Sequence, residues 1–209
     1  MKKLLKTRIS ILFAFLFLYL GGLARATIIK DFNDHETGII QTGDYYDDVY
    51  VWDNANVSMV DGEIGWFLFA RDFSYISMTG GVVSHSLDAL NNSIIEMSGG
   101  TIGGATLGDS SIMYLSGGHV LNAIFSIQGD AVLHVYGKDF LYTPEGGYGF
   151  GWLSGHWADD SEFTILFRHL PESFPPQSSV VLHIVPEPAT ISLLVLGGFI
   201  IKCQNRIIS

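Results

Sequence analysis

Met59-Val60-Asp61-Gly62, Met78-Thr79-Gly80-Gly81, Met97-Ser98-Gly99-Gly100 and Leu115-Ser116-Gly117-Gly118 are four copies of one pattern. Each has an apolar anchor, a variable residue and a pair ending in Gly. The anchors lie 19, 19 and 18 residues apart, and a decayed copy, Val135-Tyr136-Gly137-Lys138, follows 20 residues later. One step of 19 back from Met59 falls on Ile40-Gln41-Thr42-Gly43, an earlier copy. Equal steps of this size are the mark of a repeat architecture, in which each unit buries its apolar face only against its neighbours.

More than the Gly pair recurs. An Asp or Asn stands five or six residues before each anchor: Asp53, Asp72, Asn91, Asp109 and Asp130. Two residues before the anchor come Val57, Ile76, Ile95, Met113 and Leu133, with Ser58, Ser77, Glu96, Tyr114 and His134 in between. Apolar–mixed–apolar alternation reads as a strand with one buried face. After the Gly pair, Ile64, Val83, Ile102 or Val120 opens a second strand. The clusters Phe67-Leu68-Phe69, Leu87 with Leu90, Leu107, and Ile124-Phe125 suggest a third. Nothing repeats at the helical period. Three short strands split by Gly and Asp/Asn turns make one coil of a parallel β-solenoid, about 60 Å around at ~3.3 Å per residue. The expected fold is therefore all-β: a short right-handed parallel β-helix of ~19-residue coils over 40–139. A β-sandwich, with strands at 8–12-residue spacing, is the competing architecture. Residues 27–39 are expected to cover the start of the coil and 140–184 its end, with closing strands at 163–167 and 180–184.

The two ends of the chain differ from this body. Lys2, Lys3, Lys6 and Arg8 precede an apolar run over 9–20, and Ala24-Arg25-Ala26 is a small-x-small site. This is the pattern of a secretory signal peptide, cleaved after Ala26; an uncleaved anchor is the alternative. At the other end, an apolar run over 189–201, weakened by Gly197-Gly198, is followed by Lys202 and Arg206. Thirteen helical residues cover roughly 20 Å, a marginal span for a ~30 Å hydrocarbon core. The basic stub beyond it marks the cytoplasmic side. The only cysteine, Cys203, lies beyond this run, so the body has no disulfide and depends on its own packing.

The segment Val185-Pro186-Glu187-Pro188-Ala189-Thr190, followed by Leu193-Leu194 and Leu196-Gly197, resembles the PEP-CTERM sorting signal. The resemblance covers about the last 25 residues, with motif, apolar run and basic end in the family's order. Family tails end in a denser Arg cluster than Lys202 and Arg206 provide. The resemblance implies export by a Gram-negative bacterium that makes exopolysaccharide, a single hydrophobic sorting helix that holds the chain in the membrane before processing, and recognition by exosortase, a membrane cysteine protease-transpeptidase. A plain C-terminal anchor is the alternative.

Charge narrows the partners. Between the apolar ends, over 27–188, only Lys30, Arg71, Lys138 and Arg168 are basic, against all 21 acidic residues, a net charge of −17. Such a surface repels phosphate backbones, so no nucleic acid is expected as a partner. It also disfavours acidic polymers, which weakens a lyase reading: a lyase needs cations against its uronate. A glycoside hydrolase needs two carboxylates at set separation, and among 21 acids some pair meets by chance. No G-x-S-x-G or nucleophilic Cys motif occurs in the body, and no catalytic residue or cofactor is assigned. The seven His show no metal-ligand spacing, so no metal site is assigned. The Asp/Asn ladder has two readings, turn chemistry or carboxylates bridged by a hard cation. Tyr142, Tyr148, Trp152 and Trp157 have two as well: packing over the last coil, or flat faces for sugar rings. Sequence alone thus points to an exported envelope or matrix protein, structural or exopolysaccharide-binding, with a β-helix polysaccharide lyase or glycoside hydrolase as the alternative.

Overall fold

The computed structural model describes residues 27–145, 151–168 and 179–186. Ala24 and Ala26, Tyr148, Glu187 and Pro188 of the expected sorting motif, and the run 189–201 lie outside the described residues. Among the described residues no helix is long and apolar enough to cross a membrane.

The described chain is an all-β solenoid, a flattened coil with two faces. The strands β1 (Ile29–Phe32), β3 (Tyr45–Val51), β5 (Glu63–Ala70), β7 (Val82–Ala89), β9 (Thr101–Leu107) and β11 (His119–Ile127) form one face. Each pairs in parallel with its counterpart in the next turn. The shorter strands β2 (Thr37–Ile40), β4 (Asn56–Met59), β6 (Tyr75–Met78), β8 (Ile94–Met97) and β10 (Ile112–Leu115) form the other, also parallel, and β12 (Val132–Pro144) continues it. We call these the long-strand and short-strand faces.

Two strands make a turn, not three. The stretches expected as second and third strands are continuous in β5, β7, β9 and β11, because a register shift takes up the irregularity between them. A β-bulge bends a strand without ending it. Gly103 permits one such bulge: a Cβ there would lie 2.2 Å from the His85 carbonyl oxygen and 2.4 Å from that of Ser84. Residues 27–39 carry β1 and most of β2, so they form a turn of the coil in register with the next.

The core is a stack of like on like. Ile40, Met59, Met78, Met97, Leu115 and Val135 form one inward column, and Val57, Ile76, Ile95, Met113 and Leu133 another. From the long strands come Ile64, Val83 and Ile102, then Val49, Leu68, Leu87, Ala105 and Ile124. These columns form one buried cluster. The flanking corners explain the rest of the repeat. Gly43, Gly62, Gly81, Gly100 and Gly118 have φ between 81° and 90°, the left-handed region that only Gly enters freely. At the other corner Asp34, Asp53, Asp72, Asn91 and Asp109 have φ between 40° and 61°. Asx side chains tolerate that conformation.

The end is closed by a meander. β12 runs out of the short-strand face and crosses to the long-strand face. There it pairs antiparallel with β13 (Gly151–His156), which pairs with β14 (Glu162–Phe167). β14 returns to β11 in parallel through Phe167 and Ile124. Residues 163–167 lie in β14; 180–184 is β15 (Val180–Ile184), which extends the short-strand face along β12. Beyond the ladder, His134 Nδ1 and His183 Nε2 lie 2.9 Å apart, and His183 stacks on Tyr136 at 4.3 Å. The Val185 N–H still bonds Gly137, and Pro186, with no N–H to give, follows exposed.

Two outcomes follow. Gly100→Ala places a Cβ 2.6 Å from Met78 Cε and 2.8 Å from the Gly80 carbonyl oxygen at φ 82°. Equilibrium urea unfolding should show a loss of about 1–3 kcal/mol, whereas Asp72→Gly should change stability by less than about 0.5 kcal/mol. Burial, and then the His183 charge, hold His134 below the ordinary imidazole value. The unfolded chain therefore binds the proton first on acidification. The stability linked to His134 is complete above the ordinary value and is lost as pH falls below it. Between about pH 8 and about pH 5, Tm should fall further in the wild type than in His134→Gln.

Candidate functional site

The outer side of the long-strand face carries a continuous surface of rings. In β3 the inward residues are Val49 and Val51, so Tyr50 points out, with Trp52 just beyond the strand. In β5 Leu68 and Ala70 point in, and Phe67 and Phe69 point out with Arg71 after them. Period-two alternation places these side chains, and parallel register puts Tyr50 beside Phe69 and Asp48 beside Phe67. The rings run on from one to the next. Trp52 to Tyr50 is 5.8 Å, Tyr50 to Phe69 4.8 Å, and Phe69 to Phe67 5.2 Å, all stacked within 21°. His85 continues the row at 4.7 Å from Phe67, and Trp66 ends it at 6.0 Å from His85.

The bulges supply the outer end. Gly65-Trp66 and Ser84-His85 lie beside each other in β5 and β7, but oppose single residues, Asp47 and Gly103, in the flanking turns. The extra residue pushes Trp66 out, 55 % exposed. Asp47 beneath is buried and satisfied, taking the Ile28 N–H at 2.6 Å and the Tyr45 hydroxyl at 3.2 Å.

Polar groups border the rings. The Arg71 guanidinium carbon lies 5.1 Å from the Trp52 ring and 5.6 Å from Phe69. Its Nε is buried without a hydrogen-bond partner in the described chain. Asp88 sits in register beside Phe69. Burial raises its carboxyl above the usual value, against the Ser86 and Thr106 hydroxyls and the His85 and Arg71 charges, which pull it down. The Ser86 hydroxyl donates to it at 2.5 Å. The Asp48 carboxylate accepts the Phe67 N–H at 3.2 Å. Three strands at ~4.8 Å and a run of about five residues give the surface roughly 10 by 17 Å. Such a surface can pack against the apolar side of a ligand and take hydroxyls at Arg71 and Asp88.

The residues picked out by sequence lie elsewhere. Trp157 is buried, stacked on Phe163 at 4.0 Å, and its indole N–H donates to the Gly118 carbonyl. It closes the core. Tyr142 and Trp152 belong to one hairpin but to opposite faces, since Tyr142 opposes Leu153 and Thr143 opposes Trp152. Trp152 is 37 % exposed and donates to Glu145 at 2.7 Å. These three do not form one platform. In the Asx column the equivalent of Asp109 is Gly129, at φ 66°, not Asp130, whose N–H instead bonds the Asp109 carbonyl. The column is turn chemistry: Asp109 Oδ2 takes the Asn91 N–H at 3.0 Å. Among the described residues no group of three or more His, Cys, Asp or Glu is placed to hold a metal. Of the segment expected from sequence to be a sorting motif, Val185 and Pro186 follow β15 directly.

The ring surface was hidden in sequence because Phe67-Leu68-Phe69 reads as a core cluster, and only the alternation set by Leu68 shows which residues face out. No protein-family description, no curated protein and no solved structure matches the chain.

Proposed function

We propose that this is an exported protein of the cell envelope or extracellular matrix that binds neutral exopolysaccharide through the outer side of its long-strand face. Residues 1–26 direct export. The PEP-CTERM-like tail, from Val185-Pro186-Glu187-Pro188 through the sorting helix at 189–201, holds the chain in the inner membrane until an exosortase-type enzyme processes it. The coil is right-handed, the sense in which crossovers between parallel strands pack back on their own sheet.

The observation that carries the binding reading is the unbroken ring row from Trp52 to Trp66. Rings on a rigid sheet lose little entropy on binding, and the Arg71 and Asp88 groups beside them suit hydroxyls. The body's charge of −17 over 27–188 favours a neutral polymer over an acidic one. Binding is favoured over cleavage because Asp48 and Asp88, the two carboxylates flanking the rings, already accept backbone and hydroxyl hydrogen bonds, with the Phe67–Phe69 strand between them.

In size exclusion with the producing strain's neutral exopolysaccharide, the full chain in detergent should co-elute with polymer of unchanged size. Trp66→Ala and Phe69→Ala should each weaken binding about 3- to 10-fold. A polymer that elutes later establishes cleavage and overturns this reading. The sorting role has its own test. Deleting 186–209 should shift the protein from the envelope fraction to a soluble exported one, and an unchanged distribution overturns it.

A further inference from the structure

The opposite, short-strand face carries a second ring surface. Its outward rows follow from the same alternation. One row is Ser58, Ser77, Glu96, Tyr114 and His134; the next includes Thr79, Ser98, Ser116 and Tyr136. Tyr114 and His134 stack at 4.9 Å and 11°, His134 meets His183 at 5.1 Å, and His183 stacks on Tyr136 at 4.3 Å and 8°. Four rings thus form a continuous strip at the C-terminal end of the coil. Beside it lies a groove of about 400 Å³, lined chiefly by Ser77, Glu96, Ser98, Tyr114, Ser116 and Tyr136. Glu96 and Ser98 are exposed, and Tyr75 hydrogen-bonds Glu96.

The groove therefore offers ring faces along one side, hydroxyls along another, and a carboxylate as its charged group. No lysine or arginine is among its lining residues. These groups suit a neutral, hydroxyl-rich ligand and repel an anionic one. The two ring strips lie on opposite sides of one core, with sheets ~10 Å apart. They are also staggered along the axis, since one lies on β3, β5 and β7 and the other on β10, β12 and β15. A polymer chain lying flat on one face does not reach the other without turning around the coil's edge.

We infer that the short-strand face is a second neutral-glycan site, and that one molecule therefore cross-links two polysaccharide chains. This rests on the glycan-binding reading of the long-strand face and adds a function to it: organisation of the polymer, not attachment alone.

The test uses the full chain in detergent, shown by light scattering to carry one chain per micelle, with the producing strain's neutral exopolysaccharide as probe. Co-migration reads binding, and the hydrodynamic radius of the polymer reads cross-linking. The radius should rise several-fold as protein is added and fall again at protein excess, when each polymer site is filled by a protein molecule of its own; simple aggregation gives no such fall. The double substitution Tyr114→Thr with Tyr136→Thr should keep binding through the long-strand face and abolish the rise. Ser98→Arg, which fills the groove from an exposed position and removes no core contact, should do the same if the double variant fails to fold. Wild type that binds without any rise, or a rise that survives Ser98→Arg, overturns the second site and leaves the one-face reading intact. Wild type that does not bind overturns both. Self-association without polymer identifies the face as a contact between copies and overturns the inference.

Discussion

Neighbouring turns of this coil are held to each other by backbone hydrogen bonds, and that single constraint forces each turn to copy the next. A backbone N–H buried between turns has no other partner, so strands must begin and end together. The left-handed corners at Gly62, Gly81, Gly100 and Gly118 keep step with those at Asp53, Asp72, Asn91 and Asp109 for this reason. Where the count departs, it does so at the bulges of the long-strand face and at the Gly43 corner, where Ile40 pairs with Met59 but Tyr45 with Glu63. The core columns follow directly: once the corners stack, Met59, Met78 and Met97 have no choice but to lie over one another.

The same stacking makes surfaces. On a twisted open sheet, outward side chains diverge, but in-register parallel turns repeat one outward position every ~4.8 Å. Rings placed at neighbouring outward positions then come within stacking distance. The two ring strips are consequences of this repetition, one on each face. Their positions differ because the substitutions that create them, Tyr50 with Phe69 and Tyr114 with His134, occur at different turns. The buried columns and the exposed strips use one geometric rule with opposite side-chain directions.

The first described turn, β1, β2 and the bend between them, carries Lys30, Asp31, Asp34 and Glu36, charges that discourage pairing with another sheet edge. The far end is handled differently. Trp157 and Phe163 cover the core, and β15 is fastened by its ladder to β12 and by the His134–His183 contact. The Val185 N–H still bonds the Gly137 carbonyl, and Pro186, which has no N–H, is the last residue described on that side.

The repeat, its period, its inward columns and its corner residues were legible in the sequence, since Gly and Asx at fixed intervals state where the backbone must turn left-handed. Strand continuity was not, because a bulge and a break look alike along the chain: the stretch from Glu63 to Ala70 is one strand although its apolar residues fall in two groups. Nor were the ring surfaces, which depend on residues 19 apart meeting side by side, as Tyr50 and Phe69 do. Sequence also pointed to the Tyr142–Trp157 cluster, whose members tertiary packing then separated: Trp157 into the core, Tyr142 and Trp152 onto opposite faces of a hairpin. By itself the sequence determined a coil of ~19-residue turns with an acidic surface. Only the tertiary structure decided which aromatic residues face water together, because that depends on register between turns.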